Sequence, residues 1–134
     1  MELVKVELKG DEKLLRKFFN AGRNMYKELD DSFEKSSRIM QESIKSHTPV
    51  GETGNLQDSI EVQKRRNSHY SIGSSSEYAV PIEYGTGLSG DPATQHSLDF
   101  KGIEPHYNFT NAFNASKKEV LNTVQKAFKE ALDD

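Results

Sequence analysis

The sequence contains no cysteine, only four prolines and no long apolar run. Without cysteine the chain cannot form a disulfide, a thiolate metal site or a cysteine nucleophile. No segment has the roughly 20 consecutive apolar residues that cross a membrane. The first ten residues, MELVKVELKG, alternate acidic and basic charges instead of forming the apolar part of a signal peptide. We therefore expect the protein to be made and folded in a cytoplasm, without a membrane partner.

Apolar residues are also scarce, at 34% of the 134 residues, while charged residues make up 29%. This length suits one domain with a modest core, and the composition leaves a large polar surface. The net charge of -3 gives no general attraction to nucleic acid or to an anionic membrane. The basic cluster Lys64-Arg65-Arg66 fits a solvated turn better than a nucleic-acid site.

The first third of the chain predicts a strand followed by a long helix. Apolar and charged residues alternate from Leu3 to Leu8, which is typical of a half-buried strand. Asp11 then fits a helix N-cap, and from there to about Ser46 the apolar residues form one helical stripe, with Gly22 as its only weak point. Such a helix is on the order of 50 Å long. Because a small domain needs less, we expect part of it to pack on a neighbouring subunit.

Turn residues divide the middle of the chain into short elements. A proline ends the long helix near Thr48, and a loop with two glycines follows. Residues 56–62 and 69–73 predict the two strands of a β-hairpin. Residues 78–84 gather apolar side chains around a proline, which predicts an edge strand or a short helical turn.

The last third predicts a loop and a second amphipathic helix. Residues 85–102 are rich in Gly, Ser, Asp and Pro, and loops of this length are usually functional or flexible. From about Tyr107 to Leu132 the apolar residues again form a helical stripe. The order of elements predicts an α+β fold, with a small antiparallel β-sheet packed by a long N-terminal helix and a C-terminal helix.

The loop begins with GTGLSG (Gly85–Gly90), a formal match to the G-x-G-x-x-G dinucleotide pattern. A real site needs a buried strand before the glycines and a helix that opens on the last one. Here a proline and two tyrosines precede the glycines, and the residues after Gly90 have no apolar period. We interpret the glycines as backbone hinges at a subunit contact, with Gly87 and Gly90 in the flexible loop. Gly51–Asn55 is likewise not a P-loop, because no Lys-Ser/Thr follows it.

The sequence offers no catalytic apparatus. No serine or threonine has the surroundings of a nucleophile, and no pair of carboxylates stands in an apolar setting. His96 and Asp99 have a metal-like spacing but lack further nearby ligands. Glu83 fits a salt-bridged or turn-capping glutamate better than a general acid. We predict no enzyme activity, no cofactor, no metal and no small-molecule substrate.

Three motifs follow one another along the chain. They are TPVGETGNLQDSI at residues 48–60, YAVPIEYGT at 78–86 and IEPHYNF at 103–109, just before the last helix. With these motifs the chain resembles a family of tailed-bacteriophage neck and tail proteins, the tail-completion or head–tail joining proteins related to minor tail protein Z of lambda-like phages. The resemblance spans residues 11–132. The polar, mildly acidic loop after Thr86 departs from the family, which often has basic or aromatic residues there.

The resemblance implies one domain across residues 1–134, with the polar loop at 85–102, that assembles as a ring at the neck or tail top, a hexamer being favoured. The ring would complete the tail and allow head–tail joining, as a non-enzymatic virion protein assembled in the host cytoplasm. Its partners would be copies of itself and other neck and tail proteins, with at most transient contact with genomic DNA. The residues implied to serve structure and assembly are Pro49, Gly51, Thr53, Gly54, Leu56, Tyr78, Glu83, Tyr84, Gly85 and Thr86.

Two other functions stay open at the level of sequence. A nucleic-acid-binding or regulatory module would use Lys64-Arg65-Arg66 with Tyr70, and a small hydrolase or nucleotide-binding enzyme would use the glycine loops. Two substitutions express our structural expectations. Gly54→Val impairs folding if Gly54 has a positive φ, and Glu83→Ala leaves the monomer fold intact but weakens assembly.

Overall fold

The computed structural model describes residues 4–13, 15–16, 23–51, 54–86, 89–91 and 102–133. The fold is α+β, as the sequence predicts, with a three-stranded antiparallel sheet and two long helices. In chain order the elements are β1 (Val4–Lys9), α1 (Arg23–His47), α2 (Asn55–Asp58), β2 (Glu61–Arg66), β3 (His69–Ser74), α3 (Ala79–Tyr84) and α4 (Asn108–Asp133).

The sheet has the strand order β1-β3-β2, so the last strand in sequence lies in the middle. Ile72 of β3 is fully buried and lies opposite Val6 of β1 and Val62 of β2. Strands β2 and β3 form the predicted hairpin, closed by a turn in which Ser68 has a left-handed φ of 55°. Among the described residues, the outer edges of β1 and β2 pair with no other strand.

Helices α1 and α4 pack on each other, and this is the most extensive contact between two elements. Small polar residues let the two helices come close. The Ser43 hydroxyl of α1 donates to the Ala112 carbonyl of α4 at 3.2 Å, and the buried Ser116 hydroxyl lies 3.2 Å from the Met40 sulfur. Between the helices and the sheet lies the core, whose most buried apolar members include Leu29, Met40, Ile44, Ile60, Ile72 and Ala112.

The two long helices follow the predicted pattern. Helix α4 runs from Asn108 to Asp133, as its apolar stripe indicates. Helix α1 ends at His47, one residue before the Thr48-Pro49 pair, as expected. Residues 12–13 and 15–16 are helical too, but the predicted weak point at Gly22 lies outside the described residues. No helix in the described ranges is both long enough and apolar enough to span a membrane.

The predicted strand at residues 56–62 is wrong in its first half. Residues Asn55–Asp58 form the short helix α2, and β2 begins only at Glu61. The buried side chains explain the difference, because Leu56 and Ile60 both enter the core and are four residues apart. A strand would place Asp58 on the same face as these two side chains, whereas a helical turn places it on the other side, where it is exposed.

Residues 79–84 adopt the helical alternative of the two predictions for this segment. In α3 the buried Ala79 and Glu83 are four residues apart, and the half-buried Ile82 packs against the core. Pro81 is tolerated because it lies in the first turn of the helix, where its missing N–H costs no helical hydrogen bond. The helix ends at Gly85, which has a φ of 73°.

Candidate functional site

The carboxylate of Glu83 caps the N-terminus of helix α4. One oxygen accepts the Phe109 N–H at 2.8 Å, and the other accepts the Thr110 N–H at 3.0 Å and the Thr110 hydroxyl at 2.6 Å. The first N–H groups of a helix have no partner within the helix, and its N-terminus favours negative charge. Glu83 is only 1% exposed. The turn-capping interpretation of Glu83 is therefore correct, and its side chain is fully engaged within the fold.

This placement argues against the expectation that Glu83→Ala spares the monomer fold, which rested on an acid placed among apolar residues without catalytic company. The structure instead places Glu83 inside the chain, where removing its carboxylate leaves buried donors without an acceptor.

Backbone hydrogen bonds on both sides of Glu83 join α3 to the entry of α4. The His106 N–H donates to the Ile82 carbonyl at 2.8 Å, and the Tyr107 N–H donates to the Glu83 carbonyl at 3.1 Å. Two further hydrogen bonds join Thr86 and Ile103. The Thr86 hydroxyl accepts the Ile103 N–H at 3.0 Å, and the Thr86 N–H donates to the Ile103 carbonyl at 2.8 Å. We call residues 82–86 and 103–110 the α3–α4 clamp.

Glycines allow the two halves of the clamp to cross closely. A Cβ atom on Gly85 would lie 2.5 Å from the Ile103 carbonyl oxygen, and one on Gly102 would overlap the Thr86 carbonyl. Gly90 is buried, and a Cβ there would lie 3.0 Å from the Thr86 nitrogen. The interpretation of Gly90 as part of a free loop is therefore wrong. Gly87 lies outside the described residues.

Three backbone donors in the described part of the glycine stretch and just after it are used within the fold. The N–H groups of Gly85, Thr86 and Asp91 donate to the carbonyls of Pro81, Ile103 and Tyr84 respectively. A phosphate cradle needs such groups to point into an open site. These three donors are instead used within the fold, which agrees with the interpretation of the G-x-G-x-x-G match as accidental.

Tyr107 fixes the start of the long loop to the start of α4. Its hydroxyl donates to the Asp91 carboxylate at 2.9 Å, and this hydrogen bond, with smaller contributions from burial and the nearby negative charge, raises the pKa of Tyr107. Its carbonyl accepts the Asn111 N–H at 2.7 Å, and its φ of 50° makes it one of two residues other than glycine with positive φ among the described residues. The second and third sequence motifs thus meet at this point.

The first motif also reaches the N-terminus of α4. The buried Thr48 hydroxyl donates to the Ile44 carbonyl at 2.5 Å and accepts the Asn108 side-chain amide at 2.9 Å. The turn that follows uses left-handed glycines, with φ values of 65° at Gly51 and 67° at Gly54. The three motifs, distant in sequence, therefore converge on the first residues of α4.

The other residues assigned to structure and assembly divide into buried and exposed positions. Leu56 belongs to the core, while Pro49, Tyr84 and Thr86 are half-buried. Tyr78 is 56% exposed. Among the described residues of this set, the other large apolar side chains are buried or half-buried. Thr53 lies outside the described residues.

The side chains of the basic cluster Lys64-Arg65-Arg66 contact other residues of the same chain. Asp30 of α1 accepts the Lys64 ammonium at 2.8 Å, the Ser68 N–H at 2.6 Å and the Tyr70 hydroxyl at 3.2 Å. The hydrogen bond to Asp30 raises the pKa of Lys64. Burial, helped by the nearby Asp30 charge, raises the pKa of Tyr70 to about 12.

The two arginines of the basic cluster also have partners within the chain. Arg65 donates to the Ser71 hydroxyl at 2.9 Å, and Arg66 lies 3.5 Å from the Glu12 carboxylate. The Arg65 contact lies within the hairpin, and the Arg66 contact joins the hairpin to the chain before α1. They compete with any use of the same cations for phosphate binding.

The histidines are dispersed. His69 lies 3.6 Å from the Glu7 carboxylate. The pKa of Glu7 is lowered, mainly by its hydrogen bond with Lys5. Within the described ranges no group of three or more His, Cys, Asp or Glu side chains could hold a metal ion. The pair His96 and Asp99 lies outside those ranges.

The fold and the clamp define a small α+β subunit whose motif residues hold its own helices together. Residues 12–85 match the model of a family described as "Bacteriophage HK97-gp10, putative tail-component". Because this match covers more than half of the chain, the protein belongs to that family, and the resemblance to phage neck and tail proteins is confirmed. No curated protein and no solved structure matches the chain.

Proposed function

We propose that this chain is a structural protein of the phage neck or tail top that assembles as a ring, a hexamer being favoured. The ring completes the tail and allows it to join the head, without a catalytic step and with at most transient contact with DNA. The whole chain, residues 1–134, acts as one domain in this ring. It is assembled in the host cytoplasm and ends in the virion.

The observation that carries this proposal is the combination of a tail-component family with an incompletely buried apolar surface. Large apolar side chains that are more than a third exposed occur on α3, on α4 and in three connecting segments. A chain with so few apolar residues gains stability when a neighbouring subunit covers those that it leaves exposed. The exposed side chains are Val50, Tyr78, Val80, Ile103, Phe113 and Leu121.

The residues assigned to assembly then act in two ways. Tyr78 contacts a neighbour directly, because the fold does not bury it. Glu83, Gly85 and Thr86 act indirectly, because they fix the position of α3 and of the residues that enter α4. Pro49, Gly51, Gly54 and Leu56 likewise shape the turn after α1.

A phage in which this gene is deleted tests the proposal. We expect filled heads and separate tails in the lysate, and joined particles when the gene is supplied in trans. A deletion lysate with normally joined, infectious particles contradicts the proposed function. Lysates that lack tails altogether would place the protein in tail formation and exclude the joining step.

A further inference from the structure

An apolar groove lies between the edge strand β1 and helix α4. It has a volume of about 600 Å³ and is floored by side chains of β1, α1 and α4. Leu8 lines it from β1, and the exposed Phe113 and Leu121 line it from α4, with 42% and 57% of their surfaces in water. A groove of this size holds two or three side chains of a partner.

Lysines surround this groove. Lys9, Lys117 and Lys118 line it and form no ion pair with any residue that the structure describes. Glu7, which also lines the groove, already lies 3.1 Å from Lys5 and 3.6 Å from His69. The groove is therefore apolar in its centre and positive at its rim.

A second exposed apolar surface has the opposite charge. It consists of Tyr78 and Val80 at α3, together with the exposed Ile103, whose backbone pairs with Thr86 just after α3. Glu77 and Glu104 are their neighbours in sequence, segment 75–84 contains no lysine or arginine, and Lys101 lies outside the described residues. We call these five residues the α3 surface. Its charge and its apolar centre complement those of the groove.

We propose that the α3 surface of one copy of this chain docks into the β1–α4 groove of the next copy. Tyr78 and Val80 would lie against Phe113 and Leu121, while Glu77 approaches the lysines of the rim. Aromatic side chains set in an apolar centre contribute most of the energy of such interfaces, and the charges at the rim guide the approach. This inference rests on the proposed function, because it assigns the contact that would build the ring.

The two surfaces are different parts of one chain, so each copy would offer one and receive the other. Such head-to-tail contacts produce a closed ring or an open filament, whereas a contact between identical surfaces stops at a dimer. The pairing therefore agrees with the ring proposed above, and it specifies which residues face each other across every contact.

A mixing experiment with two full-length variants tests the pairing. Leu121→Arg places a charge in the groove, and Tyr78→Arg places a positive charge where the lysines repel it. We expect wild type to form oligomers in sedimentation velocity and each variant to be monomeric, with its association constant reduced at least about 100-fold. Mixed in equal amounts, the variants should form a 1:1 heterodimer and nothing larger, because only one intact contact can form between them.

Matched controls separate this result from unfolding. Asn122→Arg changes the neighbouring position on α4, which lines a different groove, and should assemble like wild type. All three positions are exposed, so thermal melts should agree with that of wild type. A variant that melts early is replaced by Leu121→Gln or Tyr78→Ser, for which the same mixing result is expected.

Several results would overturn the pairing. Variants that assemble like wild type, or a mixture without heterodimer, exclude it. Loss of assembly by Leu121→Arg alone indicates groove-to-groove dimers. A wild-type chain that is monomeric up to about 1 mM indicates that another protein occupies the groove. All these results leave the deletion phenotype unaffected, so failure of the pairing is distinguishable from failure of the proposed function.

Discussion

At the scale of the residue, Glu83 is an acid that binds one helix end through both of its carboxylate oxygens. Its two oxygens accept three donors from Phe109 and Thr110, and no water reaches it freely. A buried carboxylate of this kind stabilises the fold only while its donors are present. The donors in turn depend on the carboxylate.

Glu83→Ala should lower the free energy of unfolding by about 2–3 kcal/mol, because a helix cap and charge-assisted hydrogen bonds are lost together. Glu83→Gln keeps an acceptor oxygen and should lose less. Urea unfolding followed by far-UV circular dichroism measures both values. Equal midpoints for Glu83→Ala and wild type would show that the carboxylate does not hold the end of α4.

Gly54 and Gly85 both have positive φ but differ in the space around them. Among the described residues, only the Val50 side chain, at 3.9 Å, comes near a Cβ on Gly54, whereas a Cβ on Gly85 would collide with the backbone at Ile103. Gly54→Ala should therefore cost about 1 kcal/mol of stability, from the left-handed backbone alone. Gly85→Ala should cost about 3 kcal/mol, because the clamp must also open.

The same unfolding measurement ranks these two glycines. Gly54→Val, expected from the sequence to impair folding, should cost more than Gly54→Ala because its branched side chain is less compatible with positive φ. If Gly85→Ala and Gly54→Ala had equal free energies of unfolding, the close crossing of the two segments in the clamp would be contradicted.

Tyr70 should ionise near pH 12, well above its ordinary value of 10.0, because burial and Asp30 disfavour the phenolate. A folded pKa above the unfolded one stabilises the fold below pH 10.0, and this contribution is lost as pH rises from there towards 12. The difference in tyrosinate absorbance between wild type and Tyr70→Phe isolates this group. Ionisation at pH 10 in a chain that is still folded would contradict its burial.

At the scale of the element, the N-terminus of α4 is the point where three separate segments meet. Thr48 reaches it from the end of α1, Glu83 from α3, and Tyr107 from the preceding loop. These contacts position α4 against α1. The α4 face of the groove, which begins at Phe113, therefore depends on contacts made at the N-terminus of the same helix.

Thr48→Val and Glu83→Ala should be energetically coupled by about 1 kcal/mol, since both release the same helix end. A double-mutant cycle of unfolding free energies measures this coupling. Thr123→Val, in the second half of α4, provides the control and should add to Glu83→Ala within about 0.5 kcal/mol. Additivity of the Thr48 and Glu83 changes would show that the two segments hold α4 independently.

The elements with a repeating pattern could be predicted from the sequence. Strand β1 and α4 were predicted because each repeats its apolar period several times, so that a strand and a helix differ clearly. The hairpin was predicted from the turn residues between its two strands. The segment at Leu56 could not be assigned correctly because it is one turn long. Its two core residues, Leu56 and Ile60, would also lie on one face of a strand, because they are four residues apart.

The site could be predicted only in part. The sequence indicated that Glu83 caps a turn or forms a salt bridge, but its partners lie 26 and 27 residues further along the chain. Contacts over that distance depend on how α3 packs against α4, which no local pattern encodes. The Asp30 contacts with Lys64 and Tyr70 were missed for the same reason, since these residues are 34 and 40 positions apart.

At the scale of the whole molecule, the motifs hold the helices together, while Val50, Tyr78, Val80 and Ile103 of the same motifs stay exposed. The motifs join α1, α3 and α4 through the clamp and the turn after α1. The exposed residues of the α3 surface and the β1–α4 groove are where one copy can meet another. Membership of a tail-component family agrees with a protein that acts by assembly.

An electron-microscopy map of the purified virion tests the central claim most directly. We expect density for several copies of this chain as a closed ring at the top of the tail, with α3 of each copy against α4 of the next. Absence of the chain from the virion, or its presence there without contacts between copies, would contradict the account.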